Sequence, residues 1–321
     1  DLEARAALAQ ARLALGDVVS GRDPVGPGAD LRGRDLAGQD LSGRDLRGAN
    51  LREANLAGAK LVDADLSGGD LTAAVLVDAD LERATLRETN LANVDATGAN
   101  LVGACLDRAR LDRASFSEAN LSFASLLCAH ADQAVVGKAV ARGTTWAGAR
   151  LSAVDFQETD LGGASFVGAT LTRCFFLQTI LSGADLSDAH LERSAFSEAN
   201  LADARIVGAD GRWTVWLGAR LERADLSFAE LPSAVFDGAD LSGARLFGAD
   251  LRGARLLRAK LDRATLEHAN LFEADLRKTS VSGTSFVHAS LFAAAIHGMS
   301  GDAGTRFEGA NLERMTGGTE A

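Results

Sequence analysis

Ala239-Asp240-Leu241-Ser242-Gly243 and Ala249-Asp250-Leu251-Arg252-Gly253 are copies of one five-residue unit. So are Ala49-Asn50-Leu51-Arg52-Glu53 and Ala54-Asn55-Leu56-Ala57-Gly58, two hundred residues upstream. Leu31 is the centre of the first such unit, and every later centre falls a multiple of five away, as far as Ile296. Residues 29–298 therefore divide into 54 units without a net insertion or deletion. Leu occupies 37 of the centres and Phe 7, and Ala stands two residues before the centre in 39 units. An internal period this regular decides the architecture before any other signal is weighed.

Neither a helix nor a flat sheet accommodates the pattern. A five-residue step turns an α-helix by ~140°, which scatters the apolar residues around it. A flat strand needs a period of two sustained over several residues. Here an inward pair, Ala and then Leu or Phe, is followed by a bend. Gly and Asp, Asn or Ser near the bends give the backbone freedom that turns require.

The A-(D/N)-L-x-x signature resembles the pentapeptide-repeat family over about five-sixths of the chain. The resemblance implies an all-β fold, a right-handed quadrilateral parallel β-helix (a solenoid) with four units per coil. The 54 units then make 13–14 coils. At ~4.8 Å per coil the rod is roughly 65 Å long. Independently, Phe156, Phe176, Phe196, Trp216 and Phe236 are twenty residues apart. Four units per coil stacks them on one wall, whereas three or five would scatter them. The small Ala131, Val136 and Ala141 beside Trp146, and Gly211 beside Trp216, read as volume compensation in a packed lumen.

Three segments follow: 1–28 as an N-terminal capping helix and linker, 29–298 as the solenoid, and 299–321 as a partial coil and flexible tail. Ala4, Leu8, Ala11 and Leu15 make one apolar stripe over 2–15, stopped by Gly16, and Ser20–Gly28 reads as a linker. Arg34, Gln39 and Arg44 fill slots where Ala belongs, which places their coil near the solvent end. Residues 129–146 keep the phase but lose the signature, so they form odd coils or an in-phase bulge. Beyond Met299 the phase slips by one, which makes Thr305–Met315 a final partial coil and Thr316–Ala321 a tail.

Chemistry-bearing motifs are sparse. The 321 residues hold 33 Lys+Arg against 44 Asp+Glu, a formal charge of -11, which disfavours direct nucleic-acid binding. No run of ~18 apolar residues marks a membrane span. Cys105, Cys128 and Cys174 are scattered, which suits a reducing compartment and a cytoplasmic location. Cys174 takes an inward slot and reads as packing. His268 and His288 share one outward position a coil apart, without a third ligand for a metal, while His130, His190 and His297 have no obvious partner. Asp30, Asp35, Asp40 and Asp45 recur with the repeat and read as structural. No nucleotide-binding or nucleophile motif is present, so no cofactor and no catalysis are expected.

The outward apolar residues carry the functional expectation. Phe175, Val215 and Val235 share one position, and Leu177, Leu217 and Leu257 the neighbouring one on the same face. Trp213 stands at the adjoining corner, and Ala195, Ser197, Asp237 and Arg255 interrupt the stripe. Phe272 and Phe292 make a second candidate patch near the C-terminal end. Such patches mark a protein partner or self-association. The chain therefore reads as a non-catalytic interaction scaffold, the repeat part of a larger bacterial protein. Its Gly304–Leu312 closing segment is similar to those of secretion-associated adaptors. The alternative implied by the resemblance is DNA mimicry toward type II topoisomerases, which needs an extended acidic surface. Residues 29–148 hold 17 acids and 13 bases, and residues 149–298 hold 19 and 15, too balanced for that role.

Overall fold

The unit centred on Leu66 shows why this sequence coils. Its five backbone N–H groups all find acceptors. Ala64 N–H closes a tight turn on the Leu61 carbonyl (3.0 Å), and Asp65 N–H donates back one coil to Arg44 (2.9 Å). Leu66 and Gly68 donate forward one coil to Thr85 (2.7 Å) and Arg87 (2.8 Å). The fifth, Ser67 N–H, has no backbone partner and bonds Asp65 Oδ1 at 3.0 Å. The Asp or Asn before each centre thus supplies the one acceptor the coil lacks, which is the usual cost-saving role of such side chains in turns. The same bond recurs at Ser42–Asp40, Ala57–Asn55 and Ser242–Asp240. The repeated acids expected to be structural therefore complete the main chain.

The computed structural model describes residues 25–317. Its pairing is parallel throughout, from Asp30↔Asn50 to Ser280↔Ser300, and every partner is twenty residues away. Four units per coil is therefore the observed architecture. Strands longer than a single bridge form only as β1 (His130–Asp132), β2 (Arg150–Ser152) and β3 (Thr170–Thr172), in the order β1-β2-β3. Elsewhere each side contributes a single bridged residue to the ladder.

Each corner places its outward residue at positive φ, as in a type II turn. Glycine fills fewer than half of these corners: 34 others take residues such as Glu53 (φ 58°) and Trp213 (φ 59°). An L-residue there costs about 1 kcal/mol. The ladder bond from its N–H to the next coil offsets that cost, so glycine is preferred at the corners without being required. Glycine matters where a neighbour needs room. Phe123 lies over Gly143, where an added Cβ would meet its ring at 2.9 Å, and Phe228 lies over Gly248 at 3.0 Å.

The lumen is dry and filled. The Leu centres, and the Ala residues two before them, are buried from Leu31 to Ala294. The expected aromatic ladder is present: successive centroids from Phe156 to Phe236 lie 4.9, 4.6, 4.2 and 5.7 Å apart, with rings within 6° of parallel. Residues 129–146 are regular coils in register, with Ala131, Val136, Ala141 and Trp146 all inward, so no bulge exists there. Each buried indole meets a threonine that replaces Ala. Trp146 Nε1 donates to Thr144 Oγ1 (3.0 Å) and Trp216 Nε1 to Thr214 Oγ1 (2.8 Å). Both hydroxyls pass the bond on to a turn carbonyl, that of Ala141 or Gly211. Gly211 leaves room for both neighbours, because a Cβ there would stand 2.6 Å from Leu231 Cδ2 and 3.1 Å from Thr214 Cγ2.

Near the ends the expectations are adjusted. The helix expected over 2–15 lies outside the described residues. Gly28, expected in the linker, already donates to Arg47 (2.8 Å) and belongs to the first coil. Arg34 and Arg44 are exposed and Gln39 is half-buried, as befits an end coil. The pairing offset becomes twenty-one from Ser285↔Arg306 onward, the anticipated slip. Phe307 stacks on Phe286 at 5.0 Å. Thr316, expected to start a loose tail, pairs with Ala295 and closes the last partial coil.

Candidate docking face

The face whose centres include Phe156, Phe176 and Phe236 turns two outward columns to solvent. The bridge series Phe175↔Ala195↔Val215↔Val235↔Arg255 forms one column. Leu177, Ser197, Leu217, Asp237 and Leu257 stand beside it as the other. Phe175 and Leu217 are each 50% exposed, and Leu177 is exposed beside them. Val215, Val235 and Leu257 are half-buried by their neighbours. Ala195 and Ser197 interrupt the two columns with small, half-buried side chains.

The structure divides the predicted stripe. Asp237 binds the Arg255 guanidinium across one coil and accepts Leu257 N–H at 3.2 Å. This ion pair cuts Leu257 off from Val235 and Leu217. Trp213 lies at the corner as expected, but it is not bare: Arg193 and Arg212 stand 4.9 and 5.5 Å from its ring centre. The second predicted patch also forms, with Phe272 and Phe292 stacked at 5.7 Å and Arg314 over Phe292 at 5.3 Å.

The period anticipated the stack of His268 on His288, but sequence reading missed the phenylalanines that extend it. Phe228 contacts Phe247 edge-on (5.4 Å), Phe247 contacts His268 (5.4 Å), and His268 stacks on His288 at 5.1 Å. Phe228 is 58% exposed, and Phe123, on another corner, is 72% exposed. The available signal was a corner Phe followed twenty residues later by Gly, as in Phe123/Gly143 and Phe228/Gly248.

Polar side chains meet in pairs and small chains, as where Asp112 is shared by Arg110 and His130. His130 and His190 do have partners: Asp112 Oδ1 lies 2.8 Å from His130 Nδ1, and Asp210 lies 3.9 Å from His190 Nδ1. Burial pushes the Cys174 thiol up to about 12, and its Sγ lies 3.5 Å from the Leu151 carbonyl oxygen, so it packs as expected. Among the described residues, no group of three or more His, Cys, Asp or Glu side chains is arranged to hold a metal. No described helix is long and apolar enough to cross a membrane.

The pentapeptide-repeat family model matches residues 29–68, 74–126, 138–210 and 219–287. The chain belongs to the pentapeptide-repeat family. Its four-sided coil is accordingly the right-handed quadrilateral β-helix of pentapeptide-repeat proteins. Similar solved structures include HetL from the cyanobacterium Nostoc, a pentapeptide repeat protein involved in heterocyst differentiation regulation. It is 29% identical over 74% of this chain and 91% of HetL, with a TM-score of 0.29. A pentapeptide repeat protein of the Arabidopsis thaliana thylakoid lumen is 31% identical over 30% of this chain and 65% of its own, with a TM-score of 0.25. QnrB1, a plasmid-mediated fluoroquinolone resistance protein, is 17% identical over 64% of this chain and 90% of its own, with a TM-score of 0.28. The chain matches no curated protein at a significant level.

Proposed function

We propose that this pentapeptide-repeat rod is a non-catalytic protein-interaction scaffold that presents the Phe175–Val235 face to a protein partner. The observation that carries the reading is the coexistence of Phe175, Leu177 and Leu217, all exposed, on one flat side of a rigid column. An apolar surface held by a ladder that cannot fold it away keeps its desolvation gain for a partner. The setting is a cytoplasmic adaptor within a larger bacterial assembly. DNA mimicry gains no support from the charges. Asp250, Asp275, Asp237 and Asp240 are each matched by Arg252, Arg277, Arg255 and Lys260, so the acids do not form a continuous phosphate-like row.

The test pairs capture with folding. Wild-type rod and a Leu217→Asp, Val235→Asp variant are used as baits, with circular dichroism confirming equal folding. A protein retained by the wild type and lost from the variant supports the scaffold reading, and identical retention by both overturns it. A gyrase supercoiling assay is expected to show no effect of the rod.

A further inference from the structure

We draw no further inference here: the strongest candidate, the exposed surface line Phe228–Phe247–His268–His288 on one corner and the adjoining face of the rod, carries nothing because nothing in the structure shows what covers it.

Discussion

Single residues in this protein are decided by what the coil cannot supply for itself. Thr214 is the clearest case. An indole fills the lumen one unit after Gly211, and its N–H needs an acceptor, while the adjacent turn carbonyl of Gly211 is already engaged by Thr214 N–H. The hydroxyl at the position normally held by Ala accepts from Trp216 Nε1 and donates to the Gly211 carbonyl. Thr214→Val keeps the shape and removes both bonds, so it is expected to cost about 1–3 kcal/mol in chemical denaturation. Thr89→Val loses only a hydroxyl donating to Leu66 O (3.0 Å) and is expected to cost less, about 1 kcal/mol. Equal losses in the two variants would show that the indole does not depend on its threonine. The sequence suggested a volume trade between Gly211 and Trp216, whereas the space at Gly211 is taken by Leu231 and Thr214. It did not display the threonine, because a Thr in an Ala slot reads as a tolerated substitution until the ring nitrogen is placed beside it.

At the scale of the coil, the walls are ladders of like residues. Phe196 lies 4.6 Å from Phe176 and 4.2 Å from Trp216, stacked on both faces. Phe196→Ala opens a cavity between two rings that the ladder bonds hold in place, and is expected to cost about 3–5 kcal/mol. Phe196→Leu restores most of the volume and is expected to lose less than half of that, read as denaturation midpoints at constant m-value. This wall was legible because inward positions obey the repeat strictly: Phe156 through Phe236 are twenty apart whatever the outward residues do. The docking face was legible only in outline. The identity of its residues and their shared side followed from the period. The Asp237–Arg255 bridge that isolates Leu257, and the arginines flanking Trp213, depend on side-chain reach, which no period encodes. The Phe228–Phe247 extension of the His268–His288 stack escaped for a related reason. Its members come from two different columns and meet only because corner side chains lean over the next coil.

Over the whole rod, stability is distributed among many small repeated terms, and pH acts on them together. Hydrogen bonds from Arg47 hold the Asp45 carboxyl at about 2, against the ordinary 3.8. Asp40 is lowered by its bonds to Ser42, and Asp275 by its bonds to Arg277. A carboxyl lowered on folding contributes stability above its unfolded value, near pH 4, and loses it as pH falls toward its folded value. The melting temperature is therefore expected to stay flat from pH 7 to about pH 4.5 and to decline progressively between pH 4 and pH 2. The decline is expected to be gradual, since Asp40, Asp45 and Asp275 each cap only their own unit. A decline beginning near pH 6 would count against these carboxylates as its cause. Nearest-neighbour coupling of this kind is what a one-dimensional stack predicts.

The constant pairing interval turns the molecule into a ruler. Excising Leu61–Asp80, twenty consecutive residues, brings Lys60 against Leu81 with all four sides still aligned. The shortened protein is expected to fold, to lose one rung of ~4.8 Å, and to keep every downstream surface pointing the same way. Excising only Leu61–Asp65 preserves the five-residue grammar yet swings everything beyond it by a quarter turn relative to the first coils. Reach along the axis and bearing around it are therefore set by separate arithmetic, so evolution or an engineer can adjust one while holding the other fixed.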